Sequence, residues 1–204
     1  MKILLQKGDR GNDVKVLQKY LHVYPDGIFG IITEEAVKKF QREKGLKVDG
    51  IVGAATWAAL VPFIFKKSKR KITEIIVHCS ATAEGKHYTV EDIRKWHKQQ
   101  GWSDVGYHYV VYLDGSIHNG RDVDIAGAHT VNHNAHSIGV CYIGGVAKDG
   151  KTPKDTRTEE QKDSLLYLLR LLREQYPTAK IYGHRNFANK ACPSFEAKEE
   201  YKNI

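Results

Sequence analysis

The sequence has few cysteines and no long apolar run. Its three cysteines, Cys79, Cys141 and Cys192, are an odd number without the spacing of a disulfide framework, so reduced thiols or a metal ligand are expected. No run approaches the roughly 20 apolar residues of a membrane-spanning helix, so no membrane span is expected. The opening MKILLQKGDR holds too short an apolar stretch for a secretory signal peptide. Export of the chain would therefore need another route.

Composition is that of an ordinary globular protein with a basic surplus. Of 204 residues, 41% are hydrophobic and 27% are charged, which suits one medium-sized domain or two small ones. The net charge of +8 favours a polyanionic partner such as nucleic acid, an anionic membrane or an acidic wall polymer, although a solvated basic surface explains it equally well. No recognition helix or aromatic stacking motif accompanies the charge, so nucleic acid is not the expected partner.

Residues 1–60 contain an internal duplication. The stretch DGIFGIITEEAV, which begins at Asp26, recurs 23 residues later as DGIVGAATWAAL, which begins at Asp49. In each copy an Asp-Gly turn precedes an expected helix, with Thr33 or Thr56 predicted as its N-cap. Apolar residues at helical spacing flank the first copy, so the pattern predicts three short helices around one small core. No cluster of ionisable groups suited to catalysis occurs here, which indicates a binding module.

A short basic segment separates this module from the rest of the chain. Pro62 interrupts the helical spacing, and five of the last six residues of VPFIFKKSKRK are basic. A domain boundary is therefore predicted here, with a basic linker over residues 63–71. The linker is expected to be solvated, although contact with nucleic acid or with anionic wall polymers stays open.

From residue 72 onward the pattern changes to strands mixed with helices. Apolar β-rich runs such as ITEIIVHCS and HSIGVCYIGG alternate with amphipathic helical stretches. Asp114 and Gly115 form a strong hairpin signal, and Thr89 and Thr158 are placed to cap two helices. An α/β (α+β) domain over residues 72–204 is predicted, with a mixed central sheet flanked by helices and preceded by the small all-α domain.

Three side chains that are distant in sequence point to a metal site. In the loop YGHRNFANKACPSF, Pro193 favours an extended backbone before it, so Lys190 and Cys192 project to the same side. His184 leaves the last predicted strand toward the same region, and His78 ends the first one. Two imidazoles and one thiolate, with a fourth position left for water, would form a catalytic type of zinc site. A buried structural cysteine and an exposed loop lysine are the simpler alternatives.

Both segments resemble families of wall-active proteins. LLQKGDRGNDVKVLQKYL, followed by the two repeat copies, resembles the three-helix peptidoglycan-binding domain of cell-wall hydrolases, which implies such a domain at residues 1–62. IIVHCSAT, GYHYVVYLDG, HSIGVCYIGG and GHRNFANKACPSF, in that order, resemble zinc-dependent N-acetylmuramoyl-L-alanine amidases of the phage-lysozyme and peptidoglycan-recognition-protein superfamily. The second resemblance covers about residues 72–200.

The amidase resemblance implies a site and a reaction. The family's zinc ligands fall on His78, His184 and Cys192, and its two catalytic residues fall on Tyr107 and Lys190. The implied reaction is hydrolysis of the amide bond between N-acetylmuramic acid and the L-alanine of the stem peptide by a zinc-activated water. The tyrosine would hydrogen-bond the carbonyl or the water, and the lysine would stabilise the oxyanion. Recognition-only relatives typically lack the cysteine.

The remaining histidines carry weaker expectations. His129 falls where the family forms its substrate groove, so it is expected either to line that groove or to fill space in a loop. His133 and His136 have an H-x-x-H spacing that imitates a zinc motif, but no cysteine or glutamate stands nearby in the sequence. These two are expected to contact substrate or loop backbone.

The layout resembles that of a phage endolysin. Such a protein waits in the host cytoplasm until the membrane is permeabilised and then acts on the cell wall, and a bacterial autolysin would look similar. A monomer whose partner is bacterial peptidoglycan is expected.

Two other classes of protein stay open. A glycan-cleaving enzyme needs paired catalytic carboxylates, which no motif isolates here, and a non-catalytic peptidoglycan-binding protein would bind without turnover.

Overall fold

Residues 4–60 and 66–204 are described by the computed structural model of the chain. The chain divides into two units, Met1–Phe65 and Lys66–Ile204. Pro62 and the first three residues of the linker predicted at 63–71 lie outside the described residues. Within the described ranges, no helix combines the length and apolarity that crossing a membrane requires.

Three helices build the described part of the first unit. They are α1 (Asn12–Tyr20), α2 (Ile31–Glu43) and α3 (Ala54–Leu60). Their apolar faces meet in a small core, because residues spaced three and four apart lie on one side of a helix. The buried side chains of this core include Val14, Leu17, Phe29, Val37, Val52 and Trp57. The three short helices predicted from the repeat are therefore present.

Each copy of the duplication ties its Asp-Gly turn to a buried glutamine. Gln18 Nε2 donates to Asp26 Oδ1 at 2.7 Å, and Gln18 Oε1 accepts from the N–H of Gly27 at 2.8 Å. In the second copy, Gln41 Nε2 donates to Asp49 Oδ1 at 3.0 Å. Gly27 has a φ of +78°, a conformation that glycine adopts without a steric penalty. The duplication thus repeats a hydrogen-bond network as well as a sequence.

The prediction that Thr33 and Thr56 are N-caps is wrong. Helix α2 begins directly after its N-cap Gly30, so Thr33 lies inside the first helical turn. Its hydroxyl donates to the carbonyl of Ile28 at 3.2 Å and accepts from Gln18 Nε2 at 2.9 Å. Thr56 makes the corresponding contacts in the second copy. A hydroxyl that bonds a buried glutamine is no longer available to cap a helix.

Seven strands belong to the second unit. In chain order they are β1 (Glu74–Cys79), β2 (Thr82–Ala83), β3 (Tyr109–Val111), β4 (Ile117–Asn119), β5 (Ser137–Tyr142), β6 (Gly145–Val146) and β7 (Lys180–Gly183). Five of them form a mixed sheet at the centre of the unit, in the order β4-β3-β5-β1-β7. The strand β1 pairs in parallel with β5 and β7, β3 pairs in parallel with β5, and β4 is antiparallel to β3. The two short strands β2 and β6 form a separate parallel pair.

Three α-helices accompany this sheet, namely α4 (Val90–Gln99), α5 (Glu159–Gln175) and α6 (Ala197–Glu200). Thr89 and Thr158 cap α4 and α5 in reciprocal capping boxes, as predicted. The α/β class, the mixed sheet and the hairpin at the Asp-Gly turn are likewise confirmed.

The basic segment differs from a solvated linker over its described residues. Ser68 is buried, and its Oγ donates to the carbonyl of Val123 at 2.6 Å. The guanidinium of Arg70 donates to the carbonyls of Val123 at 2.8 Å, Asn134 at 3.0 Å and Ser137 at 3.1 Å. An arginine can join several carbonyls at once because its five N–H groups form a planar fork. Residues 66–71 are therefore an integral part of the second unit.

Candidate active site

Parallel pairing brings two of the predicted ligands together. In the register of β1 and β7, Val77 lies opposite Gly183, the last residue of β7. His78 and His184 directly follow these paired residues, so both stand at the same edge of the sheet. The centroids of their rings are 4.6 Å apart. The sequence predicts each histidine at the end of a strand, and the parallel register of β1 and β7 brings the two side chains together.

The loop after His184 folds back and places Cys192 beside β1. The N–H of Arg185 donates to the carbonyl of Cys192 at 2.7 Å, which closes the loop. The N–H of Cys79 donates to Cys192 Sγ at 3.3 Å, and the same sulfur lies 3.8 Å from His78 Nδ1. The third predicted ligand therefore faces the two imidazoles.

The donor atoms of this trio have the spacing that a metal ion requires. One ligand atom each from His78, His184 and Cys192 lies within 4.8 Å of the other two. Around a tetrahedral zinc ion, with bond lengths of about 2.0 Å to nitrogen and about 2.3 Å to sulfur, a nitrogen ligand and a sulfur ligand are about 3.5 Å apart. The 3.8 Å between His78 Nδ1 and Cys192 Sγ is close to that separation. Imidazole and thiolate are also ligands that zinc favours, so the residues fit this metal.

A second histidine fixes the orientation of the first. His78 is only 1% exposed, and its Nε2 lies 3.0 Å from Nδ1 of His129. This hydrogen bond leaves Nδ1 of His78 directed at Cys192. His129 fits closely between two glycines, because a Cβ at Gly127 or Gly139 would come within 2.4 Å or 2.6 Å of its Cδ2. Ring orientation at the site is therefore determined by packing as well as by hydrogen bonding.

The structure places the ring of His129 against that of His78, with centroids 4.9 Å apart. His129 is 8% exposed, so little of its surface is available to a substrate. Its backbone N–H donates to Oδ1 of Asn134 at 2.9 Å, which holds the loop that carries it. Sequence reasoning missed the contact with His78, although the small residues in AGAH and SIGV were a signal that a bulky ring packs between them.

Burial favours the neutral form of both imidazoles. It holds the pKa of His78 well below its usual value, with the nearby Lys190 ammonium adding to the effect. Burial and Lys190 likewise lower the pKa of His184. Neutral imidazole is the form that binds a metal. The side chain of Cys79 and burial raise the pKa of the Cys192 thiol, whereas a bound divalent cation stabilises a thiolate.

Tyr107 stands next to the trio. Its ring centroid is 5.1 Å from that of His78, and its side chain is half-buried. The loop before it is held by α4, since the N–H of Gly106 donates to Nδ1 of the buried His97 at 2.9 Å. Burial raises the pKa of the Tyr107 phenol well above its usual value, so the hydroxyl keeps its proton at neutral pH.

Lys190 lies on the exposed side of the same loop as Cys192. Its side chain is exposed, and its N–H donates to the carbonyl of Ala188 at 2.8 Å. Its charge lowers the pKa of both His78 and His184.

Two family profiles match the chain. The profile described as N-acetylmuramoyl-L-alanine amidase matches residues 68–195, and the profile of a peptidoglycan binding domain matches residues 10–60. The endolysin of Enterobacteria phage K11 is 42% identical over 134 residues, which is 66% of this chain and 88% of that protein. The endolysin of Escherichia phage T7 is 43% identical over 132 residues, which is 65% of this chain and 87% of that protein.

A solved structure shares the fold of the second unit. An N-acetylmuramoyl-L-alanine amidase from Clostridium intestinale aligns with a TM-score of 0.55 at 25% identity. The alignment covers 69% of this chain and 92% of that protein. The sheet and its flanking helices are therefore those of known amidases.

Proposed function

This chain belongs to the N-acetylmuramoyl-L-alanine amidase family and is a peptidoglycan amidase, and from that premise we propose that His78, His184 and Cys192 hold a zinc ion at its active site. The observation that carries the proposal is the approach of two imidazole nitrogens and one sulfur to within 4.8 Å of one another. These atoms come from two strand ends and a loop inside the region that the family profile matches.

The bond that is cleaved is the amide between N-acetylmuramic acid and the L-alanine of the stem peptide. A zinc ion bound by two neutral imidazoles and one thiolate would polarise the substrate carbonyl and acidify a water molecule. His129 would act as a positioning residue, because its hydrogen bond to Nε2 of His78 keeps Nδ1 turned toward the site.

Two further side chains are proposed to act on the reacting carbonyl. The Tyr107 phenol stays protonated, so it can donate a hydrogen bond to the carbonyl oxygen or orient the water. The Lys190 ammonium can stabilise the negative charge that develops on that oxygen in the transition state. A hydrogen bond from Tyr107 acts most strongly where water is excluded, and the ring of Tyr107 packs near the buried His78.

The first unit is proposed to be a peptidoglycan-binding domain over residues 1–62, followed by the amidase domain. Tyr24, Ile31 and Ile32 are 84%, 64% and 73% exposed, and they lie at or before the start of α2, on either side of the Asp26 turn. Exposed apolar side chains of this kind are candidates for contact with sugar rings and stem peptides. Docking the first unit on the wall would raise the effective concentration of the amidase at an insoluble substrate.

The biological role is proposed to be that of an endolysin. The similarity to two phage endolysins extends over most of the length of each of them. Such an enzyme acts on the wall from the host cytoplasm once the membrane has been permeabilised. The same activity would also serve a bacterial autolysin.

Identification of the new chemical ends tests the proposed reaction. Digestion of purified peptidoglycan should release new L-alanine amino termini and no new reducing sugar ends, and chelation followed by zinc should abolish and then restore the release. Cys192→Ala should be inactive, whereas His87→Ala, a change at an exposed histidine outside the site, should not. New reducing ends would indicate a glycosidase instead. Wall binding without either product would indicate a recognition protein.

A further inference from the structure

A second set of ligand-type side chains lies at the other end of β1. Glu74 is the first residue of that strand, and His133 and His136 belong to the segment that precedes β5. His133 Nδ1 lies 2.8 Å and His136 Nε2 lies 3.4 Å from the same carboxylate oxygen, Oε2 of Glu74. One ligand atom from each side chain lies within 4.8 Å of the other two.

We propose that Glu74, His133 and His136 form a second divalent metal site, separate from the active site. Two imidazoles and one carboxylate are a recurrent ligand set for zinc and related transition metals, with the remaining positions taken by water. Around a tetrahedral zinc ion, nitrogen and oxygen ligands lie about 3.4 Å apart. The observed separations of 2.8 Å and 3.4 Å therefore need only small side-chain shifts to admit an ion.

The backbone that carries the two histidines is held in place. The N–H of His136 donates to the carbonyl of His133 at 3.2 Å, and Thr73 N–H donates to the carbonyl of His136 at 2.9 Å. The second bond ties the histidine segment to the residue next to Glu74. The ring of His133 also packs on Phe187, with centroids 3.9 Å apart. Donors on a fixed backbone lose little conformational entropy when they bind an ion.

Partial exposure gives an ion access to this site. The side chains of Glu74 and His133 are 17% and 24% exposed, and that of His136 is 40% exposed. A metal could enter from solvent on the His136 side and leave water in its open positions. A hydrogen bond between Glu74 and His133 alone is the alternative explanation, and it does not require His136.

The two sites are far enough apart to bind ions independently. Glu74 and His78 are four residues apart on β1, which corresponds to about 13 Å along an extended strand. The segment that carries His133 and His136 also carries His129, which bonds to His78 at the active site. An ion at the second site would therefore stabilise the segment that positions an active-site ligand.

Zinc stoichiometry by equilibrium dialysis and elemental analysis tests the proposal on the full chain. The unaltered protein should hold two ions per chain, and the His133→Ala/His136→Ala variant should hold one. The His184→Ala/Cys192→Ala variant should also hold one, and combining all four changes should leave none. The matched control, His22→Ala/His87→Ala, removes two exposed histidines and should keep two ions.

A cobalt titration shows whether the active site is intact in the His133→Ala/His136→Ala variant. Only the active site contains a sulfur ligand, so its cobalt complex alone gives a thiolate charge-transfer band. The His133→Ala/His136→Ala variant should keep that band, which shows that it is folded, while it loses one ion. Two results would overturn the proposal of a second site. One is an equal zinc count in this variant and in the unaltered protein, and the other is a single zinc ion in the unaltered protein. Because the His184→Ala/Cys192→Ala variant lacks the active site, its zinc count also tests the proposal if the catalytic assignment fails.

Thermal unfolding tests the stabilising role. Zinc should raise the unfolding midpoint of the second unit in the His184→Ala/Cys192→Ala variant, since an ion that binds only the folded state stabilises it. The increase should disappear when His133→Ala and His136→Ala are added. A midpoint that does not respond to zinc in the first variant would contradict this role.

Discussion

His78 Nε2 lies 3.0 Å from His129 Nδ1, so a buried histidine holds the ring that turns its other nitrogen toward Cys192. Partners of this kind fix the tautomer and the direction of a ligating imidazole. The arrangement makes His129 part of the support of the site.

Replacing His129 should weaken zinc binding without removing any ligand. His129→Ala is expected to lower zinc affinity by about 10- to 100-fold, the usual cost of losing such a partner. His129→Asn, whose amide oxygen can take the place of Nδ1, should recover part of the loss. Competition with a chromophoric chelator measures both affinities, and His22→Ala serves as the control. Equal affinities for His129→Ala and the unaltered protein would show that His78 does not need its partner.

Removal of the Tyr107 hydroxyl should slow the reaction and leave metal binding intact. Tyr107→Phe keeps the ring that packs near His78 but cannot donate to the reacting carbonyl. A loss of about 100-fold in kcat is expected, as for removal of one transition-state donor elsewhere. Zinc content should not change, and Tyr88→Phe should behave like the unaltered protein. A parallel drop in zinc content would mean that the hydroxyl supports the metal site and not the reaction.

Elements whose signals are local could be predicted from the sequence. Thr89 and Thr158 cap helices because the residues that complete each capping box are three positions away. Short apolar runs in the sequence indicate the parallel strands. His78 and His184 lie close together because both stand at the same edge of the sheet. The ligand trio followed from the resemblance to known amidases, since spacing alone left a structural cysteine open.

Long-range partners could not be predicted from the sequence. Glu74 meets His133 across 59 residues, so the H-x-x-H pair had no visible acidic partner. The sequence predicts Arg70 as part of a solvated basic linker, because its carbonyl partners lie more than 50 residues away. Thr33 has the residue type and the sequence position of an N-cap, and only the structure shows that its hydroxyl accepts a hydrogen bond from the buried Gln18.

Arg70 should be essential for the stability of the second unit. Its guanidinium donates to four carbonyls, and lysine cannot reproduce that fork. Both Arg70→Ala and Arg70→Lys are expected to lower the free energy of unfolding by about 2–3 kcal/mol, because buried carbonyls lose their donors. Lys69→Ala, whose side chain is exposed, should change it by less than about 0.5 kcal/mol. Urea denaturation measures the free energy of unfolding of all three variants. A small effect of Arg70→Lys would indicate that a positive charge alone is enough to stabilise this part of the fold.

Stability should fall with acidification through the buried His108. Burial lowers its pKa to about 4, and its Nδ1 accepts from the N–H of Gly139 at 2.9 Å, so the folded state holds the neutral ring. In the unfolded state the ring takes up a proton below about pH 6.5. The unfolded state therefore binds more protons, and stability is lost as pH falls from about 6.5 to about 4, by on the order of 3 kcal/mol.

Urea denaturation across this pH range measures the effect. The decline between pH 7 and pH 4 should be smaller in His108→Gln than in the unaltered protein, whereas His87→Ala should leave it unchanged. An identical decline in His108→Gln would assign the acid sensitivity to other groups.

X-ray absorption at the zinc edge tests the ligand trio most directly. The His133→Ala/His136→Ala variant is the suitable sample, because the active-site ion then dominates the signal. Binding by His78, His184 and Cys192 predicts one sulfur at about 2.3 Å together with nitrogen or oxygen neighbours at about 2.0 Å. Replacement of Cys192 by alanine should remove the sulfur contribution. A spectrum without sulfur in the variant that retains Cys192 would contradict the assignment of the metal centre.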